Sequence, residues 1–337
     1  MSAVLHQIIR QLSLATLLGG TVYSSSTLAD LTATKRPVST STVSAQSETT
    51  KNNGAATHKQ TETEHNSLIA HRVEDERNTA ELPFVITPHK VNYILPVSYN
   101  SHPNMAPYTT VTDTQSHQLD HLEAKFQISF KLPLWRDIWQ GNGQLFFAYT
   151  NQSWWQVYNQ DISAPFRETV HEPELFVLFN NDWQWQGWTN AFWGLGIVHQ
   201  SNGKSGQLSR SWNRIYGTMV FDRGPLAIAA KVWWRLPESA KRYPGDPRGD
   251  DNPDITDYTG NFEITSVYGI DKHRFSMQLR NNLQRDNRGM IELTWSYPIL
   301  GNLRFYTQYF NGYAESLIDY NAHNQRIGIG LALNDLL

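Results

Sequence analysis

From Phe84 onward the chain alternates. Leu122, Ala124, Phe126, Ile128, Phe130 and Leu132 interleave with Glu123, Lys125, Gln127, Ser129 and Lys131. The same period of two sets Phe275, Met277 and Leu279 against Ser276, Gln278 and Arg280, and Ile291, Leu293, Trp295 and Tyr297 against Glu292, Thr294 and Ser296. Side chains of an extended strand point to opposite faces in turn, so each run presents one apolar and one polar face. No stretch shows a convincing helical period. Turn residues divide this part of the chain into twelve segments, near residues 90–99, 121–134, 143–158, 166–180, 188–201, 211–222, 225–236, 259–270, 273–283, 288–298, 302–313 and 325–337. Each is close to the roughly ten residues that a tilted membrane-spanning strand requires. The pattern predicts an all-β fold, a 12-stranded antiparallel transmembrane barrel of the bacterial outer-membrane type, with both termini on the periplasmic side.

Composition narrows the alternatives. Nothing reaches the roughly 18 consecutive apolar residues of a spanning helix. A membrane protein of this sequence must therefore be a barrel, the other fold that satisfies every backbone group in lipid. Trp135, Trp154, Trp155, Trp183, Trp185, Trp233, Trp234 and Tyr297 fall near strand ends, where interfacial girdles are expected. The class opposite the lipid face is charged, with Glu123, Lys125, Lys131, Lys231, Arg235, Arg280, Glu292 and Arg304, which predicts a lumen filled by ion pairs rather than an open pore. The last strand should run to the terminal Leu337 as an assembly signal. A net charge of -3 without a basic block gives no footprint for nucleic acid, and the absence of cysteine excludes disulfides and thiolate metal sites.

The first 82 residues read differently. Arg10, the apolar stretch from Leu12 to Val22 and the small residues before Asp30 mark residues 1–29 as a secretory signal peptide. Residues 30–82 are rich in Ser, Thr, Gln and Asn and poor in large apolar side chains, and are expected to form a disordered tether. The barrel is assigned to residues 83–337.

Candidate chemistry lies where the barrel pattern breaks. Trp193, Leu195 and Ile197 share one face of a strand, and the same parity continues into His199 and Ser201. On the next strand Asn213 leads a largely apolar class of Ile215, Gly217, Met219 and Phe221. Polar side chains on a lipid-facing wall are costly, which favours a chemical role. Residues i and i+2 of a strand lie about 6.6 Å apart and point the same way, so His199 can take the Ser201 proton. A nine-residue connection returns the chain antiparallel, and Asn213 then faces the other imidazole nitrogen. Ser201 reads as nucleophile, His199 as base and Asn213 as the group that orients the ring. Taken singly each has an ordinary reading as a loop or strand-end residue, and only the shared parity lifts the set above it.

Longer motifs then come into view: Ser153-Trp154-Trp155-Gln156, Pro165-Phe166-Arg167-Glu168-Thr169, His199-Gln200-Ser201-Asn202-Gly203, Ser209-Arg210-Ser211-Trp212-Asn213-Arg214, Asp251-Asn252-Pro253-Asp254-Ile255, and Gly312-Tyr313-Ala314-Glu315-Ser316-Leu317-Ile318-Asp319-Tyr320-Asn321. In this order they resemble outer-membrane phospholipase A, a calcium-dependent acyl hydrolase, over residues from about 84 to 337. The resemblance implies hydrolysis of the ester-linked acyl chains of phospholipids and lysophospholipids, with Ser201, His199 and Asn213 in the roles above. It also implies activation by homodimerisation in the outer membrane and a Ca2+ ion bound by Ser209, the carbonyl of Lys204 and Ser163 of the partner subunit. The family more often carries Arg at the Lys204 position and Gln at the Asn151 position, within the dimer contact.

Other sites read as weaker. Asp250, Asp251 and Asp254 form an acidic run beside an Asn-Pro turn signal, expected to be a solvated loop, and His117 and His121 precede a strand as loop residues. The alternative from another class is a non-enzymatic channel or adhesin scaffold. It requires an open lumen or long external loops, whereas the connections are short apart from about residues 100–120 and 237–258.

Overall fold

The computed structural model describes residues 67–69, 72–73, 87–109, 119–161, 165–243 and 245–335. Twelve strands form a closed antiparallel barrel: β1 (Tyr93–Asn100), β2 (Leu122–Trp139), β3 (Asn142–Trp155), β4 (Phe166–Trp185), β5 (Trp188–Ser201), β6 (Ser211–Arg223), β7 (Leu226–Arg235), β8 (Phe262–Ile270), β9 (His273–Asn281), β10 (Gly289–Leu300), β11 (Leu303–Gly312) and β12 (Asn324–Ala332). Each strand pairs with its sequence neighbours, and β12 closes the ring on β1 through Ile327↔Tyr99 and Ile329↔Val97. A two-residue segment, Thr87–Pro88, pairs with β2 at Lys131 and Phe130. Closure leaves no unpaired edge to face lipid.

The connections divide the barrel into two rims. Tight turns join β2–β3, β4–β5, β6–β7, β8–β9 and β10–β11, as at Gln186-Gly187, where φ values of 49° and 80° suit a two-residue hairpin. Long connections gather at the opposite rim, among them 202–210, 236–261 and 313–323. The outer wall is apolar: Ile128, Leu195, Ile197, Ile215, Met219, Phe275, Leu293, Ile327 and Ile329 all face outward. Leu293→Arg, near the middle of β10, is expected to destabilise the barrel by about 2–4 kcal/mol, because the guanidinium must leave water for hydrocarbon. Urea unfolding in lipid vesicles reads this out, and an unchanged midpoint would contradict a lipid-facing Leu293.

The lumen is packed with charge, as the strand pattern predicts. Arg167 contacts Glu123 at 3.1 Å and Asp319 at 2.5 Å; Arg326 contacts Glu123 at 2.8 Å and Glu315 at 2.6 Å; Lys125 reaches Glu315 at 3.2 Å. Glu315 and Asp319 come from the 313–323 connection, which folds inward and buries Leu317, Ile318 and Tyr320 beneath the long-loop rim. A cavity of about 230 Å³ remains, lined by Glu172, Glu174, Arg214, Lys231, Glu263 and Glu292 among others.

Several expectations need correction. Trp154 and Trp233 are not girdle residues. They share the inward parity, Trp154 is 0% exposed, and the Lys125 ammonium lies 5.2 Å from its ring centroid. Trp135, Trp183, Trp185 and Trp234 do face outward. β2 and β4 run on to Trp139 and Trp185, five residues further than the pattern indicated, while β12 stops at Ala332 instead of reaching the terminus. The expected signal segment, most of the expected tether, and residues 336–337 lie outside the described residues. Within the tether, however, Ser67, Leu68 and Ile69 are buried: Ser67 donates to Asp222, and Leu68 lies against Gly269 on the inner wall. Leu68 and Ile69 are an apolar pair in an otherwise polar stretch, and burial against the barrel satisfies them.

Candidate active site

The site is built on two adjacent strands at the long-loop rim. Along β5 the outward residues run Trp193, Leu195 (54% exposed) and Ile197, then His199 and Ser201. On β6 Ile215 and Met219 face outward, and Asn213 continues that face. The register sets His199 directly opposite Asn213 and Ser201 opposite Ser211. The imidazole Nδ1 of His199 lies 2.9 Å from Asn213 Oδ1. An amide oxygen only accepts, so Nδ1–H of His199 is the donor in this contact.

Ser201 ends β5. Its Oγ accepts from the Gly203 N–H at 3.2 Å, and Gly203 adopts φ 63°, the left-handed conformation that turns the chain back under the hydroxyl. Among the described residues no hydrogen bond joins Ser201 Oγ to His199 Nε2. Asn202 organises the rest of the loop. Its Oδ1 accepts from Lys204 N at 3.2 Å and Arg210 N at 3.0 Å, and its Nδ2 donates to Leu208 O at 2.9 Å. Lys204 and Ser209 are thereby held by one buried amide.

The Lys204 side chain turns inward. Its Nζ donates to the Arg167 carbonyl at 2.5 Å and lies 3.3 Å from Glu168, so only its backbone carbonyl remains for a ligand. Ser209 Oγ donates to Asp251 Oδ2 at 2.7 Å, Ser211 Oγ reaches the same oxygen at 3.2 Å, and the Lys241 ammonium holds Asp251 Oδ1 at 2.5 Å. The acidic run is therefore no solvated loop. Asp250 is paired with Arg235 at 2.5 Å, Asp254 accepts from the Tyr320 hydroxyl at 2.6 Å, and Asn252 Oδ1 accepts from Ser211 N at 3.1 Å. Ser163 lies outside the described residues. A carbonyl, a hydroxyl and an adjacent carboxylate are oxygen donors that fit a hard cation such as Ca2+. Among the described residues no three His, Cys, Asp or Glu side chains cluster to hold a metal.

Two further residues stand at the site that sequence reasoning passed over. His171 on β4 pairs in register with Ser201 and Asn151, and its Nδ1 lies 2.6 Å from the Tyr149 hydroxyl and 3.3 Å from Asn151 Nδ2. Its parity with outward Leu175 was the available signal. Glu238, in the 236–261 connection, accepts from Asn213 Nδ2 at 3.2 Å.

A closed barrel whose apolar outer wall carries Ser, His and Asn side chains together at one rim defines an integral outer-membrane hydrolase. The family model described as Phospholipase A1 matches residues 69–333, and the chain belongs to that family. The phospholipase A1 of Klebsiella pneumoniae is 40% identical over 270 residues, covering 80% of this chain and 88% of that protein. The structure of outer membrane phospholipase A from Escherichia coli superposes with a TM-score of 0.69 at 38% identity, covering 75% of this chain and all of that one. The Salmonella typhi outer membrane phospholipase, a dimer with bound calcium, gives 0.70 at 36% identity over 77% of this chain and 97% of its own. The matched span, like the burial of Ser67–Ile69, begins ahead of the boundary expected at residue 83.

Proposed function

We propose that this outer-membrane phospholipase hydrolyses acyl esters of phospholipids and lysophospholipids through Ser201, His199 and Asn213 on the outer wall of the barrel, with Ca2+ as cofactor and a homodimer as the active form. The observation that carries the reading is the 2.9 Å contact between His199 Nδ1 and Asn213 Oδ1, two residues from Ser201 on the lipid-facing parity. As Ser201 Oγ attacks the acyl carbon, His199 Nε2 takes its proton and the carbonyl electrons move to oxygen. On collapse the ester C–O bond breaks, and His199 returns the proton to the departing alkoxide. Water then attacks the acyl-serine with His199 again as base. The Gly203 N–H, already aimed at Oγ, is a backbone donor at hand for the oxyanion. Calcium, when bound, supplies Lewis-acid stabilisation of that charge. The Lys204 carbonyl, Ser209 Oγ and Ser163 of the partner subunit would hold it.

The same wall supports the dimer. A polar site facing hydrocarbon is poorly solvated, and a second barrel covering it would enclose the acyl chain and complete the calcium ligands. Supporting this is the polar cluster of Tyr149, Asn151 and His171, which lies beside Ser201 on the same wall. The test is fatty-acid release from phospholipid–detergent micelles, together with labelling by a long-chain sulfonyl fluoride. Release should require calcium and stop on chelation, and mass spectrometry should place the label on Ser201. Chelator-resistant release, or label on another serine, would overturn the reading.

A further inference from the structure

The chain of contacts does not end at Asn213. Its Oδ1 meets His199 Nδ1 at 2.9 Å while its Nδ2 donates to Glu238 Oε1 at 3.2 Å. The half-buried Glu238 lies three residues beyond the end of β7 at Arg235, and Leu236 N donates to the Asn213 carbonyl at 2.8 Å. The first residues of the connection are thus stitched to β6 at Asn213 itself. The charged groups around Glu238 are Asp250, Asp251 and Arg235; burial pushes its carboxyl pKa up, the Asn213 hydrogen bond pulls it down, and Asp250 pushes it up again, for a net rise.

An amide is ambiguous as an orienting group, since it can offer either its oxygen or its NH2 to an imidazole. A Ser-His-Asn group therefore needs something that decides which end faces the ring. A carboxylate accepts and cannot donate, so Glu238 claims Nδ2 and leaves Oδ1 for His199. Oδ1 in turn keeps the proton on Nδ1 and Nε2 free for the serine. We propose that Glu238 is a positioning residue of the catalytic group, setting the Asn213 amide and hence the His199 tautomer, and placing a carboxylate two hydrogen bonds from the ring. In this arrangement the anion that an asparagine cannot itself supply reaches the imidazolium through the polarised amide.

The inference rests on the Ser-His-Asn reading above, and the experiment separates the two. Full-length Glu238→Ala, Glu238→Gln, Asn213→Ala and the Asn213→Ala/Glu238→Ala double variant are compared with wild type, Ser201→Ala and His199→Ala in calcium-saturated mixed micelles. The acid limb of the pH profile and the kcat–KM split are measured for each. Glu238→Ala should lower kcat about 5- to 20-fold with KM nearly unchanged, and move the acid limb down by about half a pH unit, because the imidazolium loses an anion. Glu238→Gln can still accept from Asn213, so it should recover most of kcat yet show the same shift of the acid limb. In the Asn213→Ala background the Glu238 substitution should cost nothing further, since the two residues act in series. A Glu238→Ala loss that persists undiminished in the Asn213→Ala background, or comes with an unmoved acid limb, would mean that Glu238 only closes the loop. Wild-type behaviour of both Glu238 variants while Ser201→Ala and His199→Ala are dead would overturn the inference alone. Activity surviving in Ser201→Ala would overturn the triad itself. Heat-modifiable electrophoretic mobility confirms a folded barrel for each variant.

Discussion

Ser201→Ala is expected to lower fatty-acid release by about 10⁴- to 10⁶-fold, the loss seen when the nucleophile is removed from a serine hydrolase whose binding site is intact. His199→Ala should match it, because an unactivated hydroxyl is a poor nucleophile at neutral pH. The double variant should be no worse than either single one, as the two residues perform one step. Asn213→Ala should cost less, about 10- to 100-fold, since an amide orients the ring without carrying a charge to stabilise the imidazolium. This ordering distinguishes the proposed triad from its neighbours: His171 also borders Ser201 in register, but its Nδ1 faces Tyr149 and Asn151 of β3. Steady-state rates in mixed micelles at saturating calcium check the series. Ser201→Ala retaining more than about a hundredth of the wild-type rate would remove Ser201 from the mechanism.

The barrel was legible because lipid and lumen impose opposite chemistry on alternate residues. His199, Ser201 and Asn213 were legible for the same reason, as polar side chains continuing an apolar parity class. What alternation does not encode is how far a strand runs beyond its apolar belt, so the Trp139 and Trp185 ends of β2 and β4 were missed. Nor does proximity to a strand end decide the face. Trp154 was assigned to a girdle although it shares the inward parity of Ala148, Thr150 and Gln152, and parity was the better guide. Contacts between remote segments leave no local trace: Lys125 and Glu315 meet across 190 residues of sequence. Glu238 belongs to this class, because its place depends on a backbone bond between Leu236 and Asn213 rather than on any pattern in the connection. The acidic run was misread for a similar reason. Its turn signal is real, yet Asp250, Asp251 and Asp254 each find a partner outside the 236–261 connection.

Arg326→Met is expected to destabilise the barrel by about 3–5 kcal/mol, because it strips a guanidinium from two buried carboxylates while leaving both in place. Arg326 joins Glu123 of β2 to Glu315 of the inward-folded connection at 2.8 and 2.6 Å, and donates to Ser98 Oγ of β1 at 3.2 Å. Its loss therefore loosens the closure of the ring and the seating of the 313–323 segment together. That segment bears on the site, since Ile318 N donates to Glu168 Oε1 at 3.1 Å and Glu168 also faces the Lys204 ammonium at 3.3 Å. Burial alone pushes the Glu315 carboxyl up, but Arg326 and Lys125 outweigh it and hold the pKa at about 2. A folded-state pKa below the unfolded value makes this stabilisation fully present above the unfolded pKa and lost as pH falls toward the folded one. Wild type should thus keep the contribution at neutral pH and lose it between about pH 4.5 and pH 2. In Arg326→Met the carboxyl pKa rises, so mild acid protonates Glu315 and relieves the uncompensated charge. The stability gap between variant and wild type should accordingly be widest near pH 7 and narrow by more than about 1 kcal/mol at pH 4. Urea unfolding of both proteins in lipid vesicles at the two pH values reads the gap directly. A deficit that is small, or the same at both values, would show that the Arg326 contacts are not what holds the inward segment to the wall.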